Sequence, residues 1–139
     1  MFMWGYLIHL GMRMWADKNG NTQFNQPPFR GRTVVATDEL ICEKDAWIKL
    51  TNKIAAMGLN TIIIDLGEGV RYNSHPEIAA KGAWSVEELK EELTRLRGIG
   101  LTPIPKLNFA TTHDEWLGEY GRMVSTKKYY EVCANLINE

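Results

Sequence analysis

The 139-residue chain has no excess of charge of either sign: 16 Lys and Arg stand against 17 Asp and Glu, interspersed rather than blocked, for a formal net charge of −1. Such a balance leaves no electrostatic footprint for nucleic acid or for an anionic membrane. The expected partners are neutral or small polar molecules. Cysteine is scarce, and Cys42 and Cys133 lie too far apart for metal-ligand spacing, so both read as ordinary thiols and no metal is expected. No run approaches the roughly 18 to 20 apolar residues that cross a bilayer. The apolar opening, residues 1–10, has no basic lead, contains His9 and is followed by no small-residue cleavage site. It therefore reads as a strand and not as a signal peptide, and the chain is expected to be soluble as given, with an export signal in a longer parent left open. No glycine-rich phosphate loop follows that strand, which argues against an open nucleotide-binding sheet, and no cofactor is expected.

What is present is a repeat of strand, polar loop and helix. Residues 6–15 alternate, with Tyr6, Ile8, Leu10, Met12 and Met14 on one face and Leu7, His9, Gly11, Arg13 and Trp15 on the other. Residues 16–37 are rich in Asn, Gly, Pro and Gln and read as a long excursion, the kind of loop that often carries function. From Glu43 the apolar positions Trp47, Leu50, Ile54 and Met57 mark a helix that stops at Gly58. Asn60-Thr61-Ile62-Ile63-Ile64-Asp65-Leu66 is a near-continuous branched run, as in a parallel strand covered on both faces. After a polar loop over 67–84, Ser85 and Glu88 form a capping box ahead of Val86, Leu89, Leu93, Leu96 and Ile99. Residues 102–109 predict a third strand, 110–123 a third loop, and Ser125 or Thr126 caps a last helix bearing Tyr129, Val132, Cys133, Leu136 and Ile137. Gly58-Leu59 and Gly100-Leu101 repeat the same helix-to-strand junction.

Short helix-to-strand turns with long strand-to-helix loops put the long loops on one rim, beyond the carboxyl ends of parallel strands. The fold expected is α/β: residues 1–139 as the first three β/α units of an incomplete (β/α)8 barrel. Strand alternation then points Arg13, Trp15, Asp65, Lys106 and Asn108 inward near the strand ends. Asp65 and Lys106, on neighbouring strands, are expected to lie within reach of one another, since a buried charge is tolerated when paired. That pair serves equally as a structural salt bridge or as a site. Glu68, Arg71 and Tyr72 read as loop-fixing residues or outer contacts rather than catalysts, and His75 with Glu77 resembles a zinc-deaminase fragment only superficially, since no Pro-Cys-x-x-Cys follows. The third loop holds His113, Asp114 and Trp116: a histidine beside a carboxylate can be fixed in one tautomer, and an indole offers a face to a sugar ring. The alternative is that Trp116 and Tyr120 simply anchor the loop.

Residues 58–118 carry Gly58-Leu59-Asn60-Thr61, His75-Pro76-Glu77, Gly82-Ala83-Trp84-Ser85-Val86-Glu87-Glu88-Leu89 and Pro103-Ile104-Pro105-Lys106-Leu107-Asn108 through His113. In that order and spacing they resemble the second and third β/α units of family 20 glycoside hydrolases and their uncharacterised relatives, β-N-acetylhexosaminidases on a (β/α)8 barrel. The resemblance implies a carbohydrate substrate, with Asn108 and His113 at the positions of an acidic residue and a histidine after strand three, and Arg13 at that of a sugar-binding arginine. This chain departs from the family at Pro105-Lys106-Leu107-Asn108, where Pro-Glu-Ile-Asp is usual, and Arg13 aligns only with a one-residue slip. It also implies substrate-assisted hydrolysis with the catalytic acid at the end of strand four, beyond Glu139, so no catalytic residue is assigned within the chain. Two readings stay open beside it: a sugar-binding barrel without hydrolysis, and an isomerase- or aldolase-type barrel using Lys106. As three units alone, the chain is expected to self-associate through open sheet edges, with Leu7, Ile63 and Ile104 left under-buried.

Overall fold

The computed structural model describes residues 2–13, 38–110 and 113–139, and the backbone of 21–23 and 33–35. Its centre is a three-stranded parallel sheet, β1 (Gly5–His9), β4 (Thr61–Asp65) and β7 (Thr102–Lys106), in the order β1-β4-β7. β2 (Asn21–Gln23) and β3 (Thr33–Val35) form a short antiparallel pair inside the first long excursion. Thr33-Val34-Val35, a β-branched run, is the local reason for a strand there. β5 (Val70–Arg71) and β6 (Trp84–Ser85) pair in parallel within the loop after β4. Among the described residues there are three α-helices: α1 (Lys44–Ala56), α2 (Val86–Gly98) and α3 (Lys127–Asn138). None is long and apolar enough to cross a membrane.

Local sequence sets the helix ends. Ser85 accepts the Glu88 N–H while the Glu88 carboxylate takes the Ser85 N–H, so both legs of the capping box are made. Thr126 accepts from the Tyr129 N–H and starts α3. Gly58 and Gly100 leave α1 and α2 at φ of +85° and +87°, a left-handed turn that a side chain resists. In α1 the buried stripe is Trp47, Thr51 and Ile54, whereas Leu50 and Met57 are exposed. The expected stripe was displaced because Thr51 is a satisfied polar residue: its hydroxyl donates to the Trp47 carbonyl and accepts from Arg95. Glu92 joins the same network, accepting from Trp47 Nε1 at 2.7 Å and from Arg95 Nε at 2.8 Å. α1 and α2 are thereby tied through buried polar groups that all have partners.

The strand faces differ sharply. Ile62 and Ile64, both fully buried, join Trp47, Ile54, Leu89, Leu96 and Leu101 in the core. The opposite face carries Leu7, Ile63 and Ile104, which are partners in register across the sheet. Leu7 is 43% exposed, and Ile63 and Ile104 are half-buried. One face of the sheet is thus covered and the other is open.

Candidate functional site

The open face ends in a layer of ionisable groups. His9, Asp65 and Lys106 are the last residues of β1, β4 and β7, and the ladder pairs them side by side. Cα partners in parallel strands project to the same face, so all three stand one layer above Leu7, Ile63 and Ile104. Lys106 Nζ forms an ion pair with Asp65 Oδ2, and His9 Nδ1 lies 3.6 Å from the same oxygen. Asp65 is fully buried, whereas the Lys106 and His9 side chains are 34% and 26% exposed. Asp65 Oδ1 is also buried and has no hydrogen-bond partner among the described residues. Burial holds His9 below the ordinary histidine value; Asp65 pulls it back up, and Lys106 pushes it further down. The ladder continues for one residue past the charged layer, through Leu10 N–H to the Asp65 carbonyl and Leu66 N–H to the Lys106 carbonyl.

Beyond His9 the chain does not continue as a strand. Glu68, in the 3-10 turn Gly67–Gly69 after β4, is buried, and its Oε1 accepts the backbone N–H of Met12 at 2.6 Å and of Arg13 at 2.7 Å. Gly11 makes this approach possible, because a Cβ there would lie 2.6 Å from Glu68 Oε2 and 2.9 Å from the Leu66 carbonyl. Arg13 is consequently a rim residue and not an inward strand residue; its guanidinium reaches Asp38 at 3.2 Å. Trp15 lies outside the described residues. Likewise β7 stops at Lys106, so Asn108 belongs to the following loop, where its side chain accepts the Ala110 N–H.

That loop is built from the residues expected to touch ligand. Asp114 is fully buried and accepts from the Arg122 N–H at 2.9 Å and from the Tyr129 hydroxyl at 3.3 Å. Trp116, 1% exposed, donates Nε1 to the Asn108 carbonyl and packs beside Phe109 and Tyr72. The expectation of a stacking face at Trp116 is corrected: its ring is core, and Asp114 holds the backbone of its own loop. His113 is half-buried, its N–H bonded to the Ala110 carbonyl.

His75 also has a structural setting. Asn135 Nδ2, a donor, faces His75 Nε2 at 3.2 Å, so Nε2 accepts and Nδ1 carries the proton that goes to Glu77 Oε1 at 3.0 Å. Tyr120 donates to the same Glu77 oxygen, which lowers the Glu77 carboxyl and pushes Tyr120 up to about 12. Among the described residues no group of three or more His, Cys, Asp or Glu is placed to hold a metal.

Of the expected site residues, the structure brings Asp65 and Lys106 together and leaves Arg13, Asn108, His113, Asp114 and Trp116 in the surrounding loops. His9 was missed as a member of the charged layer, although its alternation placed it on the inward face; only the strand register puts it level with Asp65. No protein-family model, curated protein or solved structure matches the chain.

Proposed function

We propose that this chain forms the first three β/α units of a (β/α)8 barrel of glycoside hydrolase type, and that His9, Asp65 and Lys106 bind the hydroxyls of a sugar of the N-acetylhexosamine class. The observation that carries the reading is the level of these three residues: one polar layer, at the carboxyl ends of three adjacent parallel strands, on the face that the helices leave open. Barrel interiors are stacked in such layers, and their sites lie at that end. The half-exposed Leu7, Ile63 and Ile104 layer beneath it supports the same architecture, because the other strands of a ring would complete it. The motif resemblance supports the sugar class.

In this reading Asp65 is the fixed point. It orients the Lys106 ammonium, whose remaining N–H bonds donate to ligand oxygens, and burial keeps His9 neutral, with an imidazole that can accept as well as donate. These residues position a ring; protonating a leaving oxygen needs an acid of the kind the resembled family carries on its fourth strand. The sugar-binding barrel without hydrolysis shares this geometry. A Schiff-base role for Lys106 is less well supported, since its nitrogen is engaged by the buried Asp65 carboxylate.

Titration of the chain with N-acetylglucosamine, followed by side-chain NMR of His9 and Lys106, tests the reading. Shifts confined to this layer, abolished by Lys106→Met, are expected. Absence of binding, or shifts elsewhere that Lys106→Met leaves intact, would overturn it. Trapping of a carbonyl sugar on Lys106 by borohydride would favour the aldolase-type reading instead.

A further inference from the structure

A second concavity, of about 590 Å³, opens among the loops of the same rim, lined by Arg13, Asp38, Arg71, Pro76, Ala80 and Lys81, with Ala79. Its cations come from three separate segments: Arg13 four residues past His9, Arg71 six past Asp65, and Lys81 from the stretch before β6. All three are anchored around Glu68. Its carboxylate holds the backbone of Arg13, its carbonyl accepts the Ala80 N–H at 2.9 Å, and Arg71 follows the turn that Glu68 occupies. Lys81 is held further by backbone bonds to Asp38 and Leu40 and by its bridge with Glu39. The floor is small: Ala79 and Ala80 leave room where longer side chains would fill the space.

The charge within this groove departs from that of the chain as a whole. Arg71 is exposed and makes no ion pair among the described residues. The other two cations have exposed partners, Asp38 for Arg13 and Glu39 for Lys81, with Lys81 80% and Glu39 67% exposed. The Lys81–Glu39 pair, exposed on both sides, is a weak one of the kind that solvent screens, whereas the Arg13 side chain is 25% exposed and more firmly held. Arginine is suited to an anionic acceptor because its planar fork matches the paired oxygens of a carboxylate or a sulfate.

We infer that this groove binds an anionic oxygen group, carboxylate or sulfate, carried by the glycan whose ring sits at His9, Asp65 and Lys106. The inference rests on the sugar-binding reading above and narrows its substrate class to acidic glycans. It assigns Arg71 and Lys81 as the specificity-determining side chains, with Glu68 as the positioning residue that fixes the groove wall.

The test measures binding of four probes to the chain at low salt by calorimetry: N-acetylglucosamine, its 6-sulfate, glucuronic acid and sodium sulfate. At least one charged sugar should bind about tenfold more tightly than the neutral one, and the advantage should fall as salt screens it. In the double variant Arg71→Ala, Lys81→Ala, charged and neutral sugars should bind alike, with neutral binding unchanged. Both side chains are exposed and their backbone bonds remain, and matching thermal unfolding of the variant checks its fold. The inference is overturned if charged sugars bind no more tightly than neutral ones, if the advantage persists in the double variant, or if no probe binds. Arg71-dependent binding of sulfate or a charged sugar without binding of N-acetylglucosamine would uphold the groove and overturn the neutral-ring reading. The sulfate and glucuronate arms tell which anion is preferred.

Discussion

Lys106 and Asp65 are register partners on adjacent parallel strands, and their side chains close an ion pair directly above a layer of branched aliphatics. The Asp65 side chain is fully buried while that of Lys106 is 34% exposed. Removing the lysine therefore strands a buried charge, whereas removing both partners does not. Lys106→Met is expected to cost about 1–3 kcal/mol in urea unfolding, and adding Asp65→Asn should recover part of it. Independent, additive losses from the two substitutions would show that the pair is not coupled.

His9 should titrate below about 6.5 in the folded chain, the value of an unburied histidine. Because the folded value is the lower one, the unfolded chain takes up the proton first. The stabilisation from a neutral His9 is complete above the unfolded value and is lost as pH falls through the window beneath it. NMR titration of the ring should show the midpoint rising in Lys106→Met and falling in Asp65→Asn. An unchanged midpoint in both variants would remove His9 from the charged layer.

Gly11→Ala is expected to destabilise the fold by about 1–3 kcal/mol, as overpacking does. The added Cβ would meet not only Glu68 Oε2 but also the Glu68 nitrogen and the Leu66 carbonyl, both at 2.9 Å. Shortening the side chain with Glu68→Ala should therefore fail to rescue it. Full rescue in the double variant, read from denaturant midpoints, would show that the backbone contacts give way.

The open face and the β1 edge predict concentration-dependent association of the isolated chain. Phe2, Met3, Trp4, Tyr6 and Leu7 are all exposed on or before that strand, and an apolar strand edge recruits another chain. Sedimentation should show species larger than the monomer at micromolar concentration, and Leu7→Lys should reduce them. A compact monomer that binds no hydrophobic dye would contradict the incomplete-barrel proposal.

How far the sequence could be read depended on whether local or cross-strand physics decides each element. The Ile62-Ile63-Ile64 run, the Ser85 and Glu88 box and the two Gly-Leu junctions are local, and each lies where their chemistry requires. The end of β1 is not local. Alternation carried it to Trp15, but the Glu68 carboxylate, 55 residues away from Arg13, captures the backbone and turns the chain after His9. Trp116 illustrates the opposite failure: an indole in a polar loop suggests a ligand face, yet a free carbonyl on Asn108 draws its N–H inward. The Asp65 and Lys106 contact was legible because it follows from parity and adjacency alone. His9 needed the register, which a single strand does not encode.

Glu139 ties α3 to a loop made much earlier in the chain. Glu139 accepts the Ser74 N–H at 3.1 Å and also the Asn73 N–H, bridging separations of 65 and 66 residues, and Asn135 meets His75 across 60. A chain made from its amino end reaches the loop after β4 long before these partners exist, and contacts of such separation form late. That loop carries Arg71 and borders Lys81, so this part of the rim depends on contacts with α3 that are among the most distant in sequence.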